Sequence, residues 1–180
     1  MKSFFREFIV TLIMAAVIFF VAQATIQTFV IIGTSMQPTF QDGQRLLVNK
    51  VVYSFGEPRR GDVVIFQPPV NPKGDYIKRI IALPGDTIEV KLGEVIVNDS
   101  RLDEPYIKSH PGYAVEEMEV PNGHYFVLGD NRDNSNDSHA GWVVPHDNII
   151  GKAWLSIWPP NKWGLAPNYP LQEQLALASD

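Results

Sequence analysis

Asp75-Tyr-Ile-Lys-Arg-Ile-Ile-Ala-Leu83, halted by Pro84-Gly85-Asp86, decides the fold class. The run is short, rich in isoleucine and closed by turn residues, which marks a strand rather than a helix. Behind it, Thr87-Ile-Glu-Val90 and Glu94-Val-Ile-Val97 flank Lys91-Leu92-Gly93, a hairpin with a glycine-containing loop. Ahead of it lie two more β-rich runs, Arg45-Leu-Leu-Val-Asn-Lys50-Val-Val-Tyr53 and Asp62-Val-Val-Ile-Phe66. His124 to Leu128 and Ile149 to Ile157 complete the set, and 14 prolines and 13 glycines punctuate it. No segment after Gly33 carries a long apolar period of 3.6, so the body is all-β or mostly β. Residues 98–122 are polar, carry Glu104, Glu116, Glu117 and Glu119, and read as an insertion or small subdomain on that body. From Pro159 onward the chain is rich in proline and asparagine and is expected to end loosely.

The amino end is different in kind. Lys2 and Arg6 precede a stretch, Phe8 to Ile32, with no charge. Its most apolar part, Phe8 to Ala22, is 15 residues, and the mildly polar Gln23 to Phe29 extends it to the length of a membrane span. The positive-inside rule keeps the amino end in the cytoplasm and sends the rest across. A basic start, an apolar run and Ala22-Gln23-Ala24 equally describe a cleaved secretory signal. The residues alone leave anchor and signal both open, and either places the body outside the cytoplasm.

Hydrophobic residues make up 45% and charged residues 19% of the 180-residue chain, enough for one modest domain with a core. A net charge of −5 without a basic stripe argues against a nucleic-acid partner. The absence of cysteine excludes disulfides, thiolate metal sites and cysteine nucleophiles.

Three places can carry chemistry. Ser35 lies in Gly33-Thr-Ser-Met-Gln-Pro-Thr-Phe40, where a hydroxyl with small neighbours and a following turn can be presented as a nucleophile. Most such stretches are ordinary turns. Lys78 and Arg79 interrupt an apolar strand, and the two-residue period puts Lys78 with Tyr76 and Ile80, and Arg79 on the opposite face, so that one of the two cations can face solvent. A lysine snorkelling at a sheet edge is the commoner outcome of such a pattern. If Lys78 points inward, desolvation lowers its pKa from about 10.4 and makes a general base near pH 8, a shift of roughly 2 units. Gly129-Asp-Asn-Arg-Asp-Asn-Ser-Asn-Asp-Ser-His139 is a dense polar loop. It fails as a calcium loop, because counting from Asp133 the sixth residue is Ser138 and the twelfth Val144. His110, His124, His139 and His146 have no metal-ligand spacing. A Ser-His-Asp triad, with Ser35, His124 or His139 and Asp130 or Asp137, stays open but ranks below a lysine base, because no nucleophile-elbow motif surrounds Ser35. The four tryptophans lie between Trp142 and Trp163, by default core, otherwise a membrane contact.

Together these segments resemble bacterial type I signal peptidases, also called leader peptidases. The likeness rests on Ser35-Met-Gln-Pro-Thr, Gly61-Asp-Val-Val-Ile-Phe66, Tyr76-Ile-Lys-Arg with Leu83-Pro-Gly-Asp86, and Gly129 to Ser138, in that order, and runs to about Trp158. It implies antiparallel sheets in a catalytic body with Ser35 as nucleophile and Lys78 as general base. Ser135 would orient the lysine, while Asp137 and Arg132 would hold the polar loop. Tyr76 and Ile77 would wall the clefts for small substrate side chains, beside Asp75, with Phe29, Ile31 and Met36 in the apolar wall. Two departures stand out. Some members have a serine where this chain has Gly33, and the loop often ends in arginine where this chain has His139, which leaves an ion pair with Asp137 in question at neutral pH.

The resemblance favours an uncleaved anchor. Residues 1–7 would be cytoplasmic, 8–28 the single transmembrane helix, 29–158 the extracytoplasmic catalytic domain and 159–180 a tail. The protein would remove signal peptides from exported preproteins at the bilayer, in a bacterial cytoplasmic or thylakoid-type membrane, without metal or cofactor. Two rivals are a soluble self-cleaving Ser/Lys repressor-type peptidase and an anchored, non-enzymatic peptide-binding β module.

Overall fold

The uncharged amino-terminal run forms one helix, α1 (Lys2–Thr25). In the computed structural model, which describes residues 2–70, 74–167, 169, 171 and 174, this helix is long and apolar enough to cross a bilayer. Its most apolar window has a mean hydropathy of 2.4, and none of it is buried among the described residues. The helix stops at Thr25, short of the expected boundary at residue 28, because Ile26–Val30 leave it as strand β1. There, β-branched Ile26 and Thr28 find a ladder partner in β2 (Arg45–Asn49), with Ile26 opposite Asn49 and Val30 opposite Arg45.

The main sheet is antiparallel throughout. Beyond β1 and β2 it comprises β3 (Val63–Phe66), β4 (Tyr76–Ala82), β9 (His124–Leu128), β10 (Val144–Pro145), β11 (Ile149–Trp158) and β12 (Gly164–Leu165). Their order is β1-β2-β11-β3-β4-β9-β10, with β12 added on β11. A second antiparallel sheet, β7-β6-β5-β8, is built from β5 (Thr87–Lys91), β6 (Glu94–Val97), β7 (Ser100–Arg101) and β8 (Val115–Glu119). The subdomain therefore begins at Thr87 and takes in the hairpin, not only residues 98–122. Its last strand, Val115–Glu119, was hidden because acidic residues occupy its solvent positions, leaving little apolar alternation to read.

The tail also differs from expectation. Gly164–Leu165 pair with β11, the Tyr169 ring lies 4.6 Å from that of Tyr106, and Leu171 is fully buried. The rest of that expectation, at 168, 170, 172, 173 and 175–180, lies outside the described residues.

Strand β4 organises the interior. It pairs with β3 along Tyr76–Arg79, Val64 facing Lys78, but meets β9 only from Arg79 onward. Among the described residues its other edge is thus unpaired from Tyr76 to Lys78. Both faces of β4 are covered, so neither cation reaches solvent: Lys78 is 4% exposed and Arg79 not at all. The expectation that one of the two cations can face water fails, because Asp130 neutralises Arg79 inside. Its Nε and Nη2 donate to the two Asp130 oxygens at 2.9 and 2.8 Å, Nη1 donates to the Gly61 carbonyl at 2.9 Å, and the guanidinium lies over Tyr106. Burial disfavours the guanidinium charge, yet the Asp130 carboxylate and its hydrogen bonds hold the pKa above the ordinary arginine value.

Removing one partner strands the other as an unpaired buried charge. Arg79→Leu should cost about 3–5 kcal/mol of unfolding free energy, read by chemical denaturation of the detergent-solubilised protein. A cost under about 1 kcal/mol would mean that Asp130 finds another partner.

Candidate active site

Ser35 stands in the turn that follows β1, and Lys78 comes from the half-free strand β4. The Lys78 Nζ donates to the Ser35 Oγ at 2.8 Å and to the Ile77 carbonyl at 3.0 Å. Burial lowers the Lys78 pKa to about 8, against the opposing pull of the Asp137 and Asp130 carboxylates. The ammonium is thus easily discharged near neutral pH, and the resulting amine lies within reach of the hydroxyl proton.

The polar loop after β9 holds this pair in place through the backbone. Asn131 N–H donates to the Ser35 carbonyl at 2.9 Å and its side-chain amide to the Thr34 carbonyl at 3.0 Å. Asn134 donates to the Thr34 hydroxyl at 2.9 Å, and the Thr39 hydroxyl donates to Asp130. The serine turn is therefore bonded to the same carboxylate that pairs with Arg79, next in the chain to Lys78. Asp137 accepts the Gly129 N–H at 2.8 Å and the His139 ring at 2.7 Å. That hydrogen bond to Asp137 raises the His139 pKa, a shift in the direction that favours the ion pair. Arg132, fully buried, reaches Glu104 with two bonds of 2.7 and 2.6 Å and donates from Nε to the Gly129 carbonyl at 3.0 Å.

Ser135 behaves differently from expectation. Its Oγ is buried and has no hydrogen-bond partner among the described residues; in particular it does not bond Lys78. It packs against Gly129, where an added Cβ would fall 2.3 Å from the Ser135 Oγ and 2.6 Å from the Ser35 carbonyl. Only glycine lets the loop and the serine turn approach this closely.

A cleft of about 450 Å³ opens beside the pair, lined by Phe29, Val30, Ile32, Ser35, Gly74, Asp75, Tyr76, Ile77, Lys78 and Asn136. Of the residues expected at its wall, Phe29, Asp75, Tyr76 and Ile77 are there. Ile31 and Met36 are not, being 2% and 1% exposed in the core with Phe40 and Leu46. Alternation explains the exchange, since Ile31 points inward while Val30 and Ile32 point out. No histidine bonds Ser35 among the described residues: the His124 ring contacts the Asn122 carbonyl and His139 is held by Asp137. Nor do the described residues group three or more potential ligands for a metal ion.

Residues 4–158 match the family described as signal peptidase, peptidase S26. The chain belongs to that family. It is a serine endopeptidase, and the binding-module and repressor readings give way. Probable signal peptidase I-1 of Synechocystis sp. is 42% identical over 174 residues, covering 90% of this chain and 87% of the relative. Signal peptidase IB of Staphylococcus aureus (strain COL) is 37% identical, covering 88% and 92%. A crystal structure of a signal peptidase I from Enterococcus faecalis V583 shares 30% identity, with a TM-score of 0.48, over 53% of this chain and 95% of that one. The apolar α1, long enough to cross a bilayer, fits membrane anchoring in a chain of this family.

The sequence reading passed over Thr34, Thr39, Asn131 and Glu104. Each acts through a bond to backbone or to a buried ion, and no spacing rule reveals such partners. Two outcomes follow from the geometry. A reaction that uses the Lys78 amine as base should show kcat/KM rising with pH through about 8, because the protonated form below that value cannot accept a proton. A profile governed by a group near about 10.4 would show a solvated lysine. Gly129→Ala should lower kcat by about 100-fold by pushing the serine turn off Lys78. Unaltered turnover would show that the turn tolerates the intrusion.

Proposed function

We propose that this protein removes amino-terminal signal peptides from exported preproteins, with Ser35 as nucleophile and Lys78 as general base. The observation that carries the reading is the 2.8 Å Lys78–Ser35 contact at the wall of the open cleft. Neutral Lys78 takes the hydroxyl proton as Ser35 Oγ attacks the scissile carbonyl. The same nitrogen, now ammonium, protonates the departing amine, and a water repeats the cycle on the acyl-enzyme. The Ser35 N–H, without an acceptor among the described residues, is the donor to the developing oxyanion. Gly33 contributes no side chain, and its own N–H is engaged by Asp42 at 2.7 Å.

The unpaired edge of β4 beside Tyr76–Lys78 supports a substrate bound in extended form, adding main-chain bonds along that edge. Tyr76 and Ile77 leave room for alanine-sized side chains at −1 and −3. Asp137 and Arg132 maintain the loop, and Ser135 packs against Gly129 within it. The helix α1 would hold the cleft at the outer surface of a bacterial cytoplasmic or thylakoid-type membrane, with the amino end in the cytoplasm.

Ser35→Ala and Lys78→Met should each abolish cleavage of a preprotein in detergent while thermal unfolding stays near that of the parent. His124→Ala and His139→Ala should keep most activity. Near-normal turnover by Lys78→Met would remove the lysine from the mechanism. Phe in place of Ala at −1 should block cleavage by overpacking, and Ile77→Ala should admit larger residues at −3. An unchanged −3 preference in that variant would take Ile77 out of the pocket.

A further inference from the structure

The segment beyond the family match, which ends at residue 158, returns to the underside of the catalytic strand. Ala166 N–H donates to the Trp154 carbonyl at 2.8 Å, and the Pro167 carbonyl accepts from Arg79 Nη1 at 3.2 Å. The Tyr169 ring lies over the Arg79 guanidinium at 5.0 Å, beside the Tyr106 ring at 4.3 Å, the two ring centroids being 4.6 Å apart. Leu171 is fully buried in the core cluster of Ile81, Tyr106 and Leu128. Gln174 closes the path by bonding both the N–H and the carbonyl of Asp103, at 2.8 and 3.0 Å.

The approach is close enough to constrain residue choice. Gly61, whose carbonyl also accepts from Arg79, has φ +91, and a Cβ there would fall 2.3 Å from the Tyr169 carbonyl. A loosely held segment would make no such backbone-to-backbone contact at residue 169, nor bury a leucine at 171. Arg79 is therefore enclosed by Asp130 on one side and by two aromatic rings, one of them from this strap.

We infer that Tyr169 is a positioning residue for the reaction: it seals the Arg79–Asp130 pair and thereby fixes Lys78 against the Ser35 turn. The inference rests on the Ser35/Lys78 reading above. The coupling runs through named bonds. Arg79 precedes Ile80 on the strand that presents Lys78, and Asp130 accepts from Thr39 in the serine turn. The next residue, Asn131, holds the Ser35 carbonyl. Replacing the ring by solvent weakens a cation–π contact and screens the ion pair, so Asp130 relaxes and takes both partners with it.

The electrostatics give the change a direction. Lys78 is surrounded by Ser35, the Tyr76 ring, Arg79, Asp130 and Asp137, the last held by His139. Around Arg79 stand Asp130, Tyr106 and Tyr169, with Glu104 and Arg132 behind Tyr106. Loosening Arg79 leaves the Asp130 charge less compensated, and that charge favours the Lys78 ammonium, so the base is lost at a pH where the parent still has it.

The test uses the full-length protein in detergent with a preprotein substrate. Tyr169→Ala should lower kcat by about tenfold or more with KM within about twofold, and move the pH profile upward. Tyr169→Phe, which keeps the ring, should match the parent in both. Should Tyr169→Ala unfold below the assay temperature, Tyr169→Leu, which keeps bulk without the ring face, should show the same slower kcat and raised profile. Unchanged kcat and profile in the alanine variant, or in the leucine one where it replaces it, would overturn the inference, as would a kcat loss with an unmoved profile. Lys78→Met is run beside them. If it is inactive, a failure at Tyr169 touches the strap alone; if it is active, the dyad reading falls and this inference with it.

Discussion

A single buried ion pair carries the architecture of the site. Arg79 and Asp130 have no solvent-exposed side-chain surface, so their charges are compensated by each other and by fixed dipoles alone. The arrangement is tolerable because the guanidinium makes four hydrogen bonds, two to Asp130 and one each to the Gly61 and Pro167 carbonyls. Its position matters more than its energy. Arg79 belongs to the catalytic strand, Asp130 to the polar loop, and the Thr39 hydroxyl that reaches Asp130 to the serine turn. Three segments far apart in sequence are brought to one carboxylate, and the 2.8 Å contact between Lys78 and Ser35 depends on all three staying there.

The adjacent lysine has the opposite fate for a simple reason. Arg79 meets a carboxylate directly, whereas Lys78 meets a hydroxyl and a carbonyl, neither of which neutralises a charge. Asp137 and Asp130 still act on Lys78 from a distance and favour its ammonium, but desolvation outweighs them. Two neighbouring cations on one strand thus serve as a permanently charged brace and a dischargeable base. Period-2 geometry separates them onto opposite faces, and each face supplies the environment its role needs.

The sequence exposed the strands of the main sheet, the apolar helix and the Ser35 and Lys78 motifs, because those signals are local: apolar runs, turn residues and fixed spacings. It missed what depends on burial from both sides. One of the two cations reads as free to face solvent because nothing in Tyr76–Ala82 announces that both faces will be covered. The resemblance puts Ile31 and Met36 in the cleft wall, but both are buried, and the exposed Ile32 lines the cleft instead. The acidic strand Val115–Glu119 and the packed tail escaped for a related reason. Their pairing partners, not their own composition, order them.

The most direct test of the account follows the charge on Lys78 itself. Lysine side chains labelled with carbon-13 at the ε position can be titrated by NMR in the full-length, detergent-solubilised protein. The account requires one lysine signal to titrate near 8, and that signal to vanish in Lys78→Met. If every lysine instead titrated near about 10.4, Lys78 would be a solvated ammonium, and the pairing with Ser35 would lose its chemical meaning.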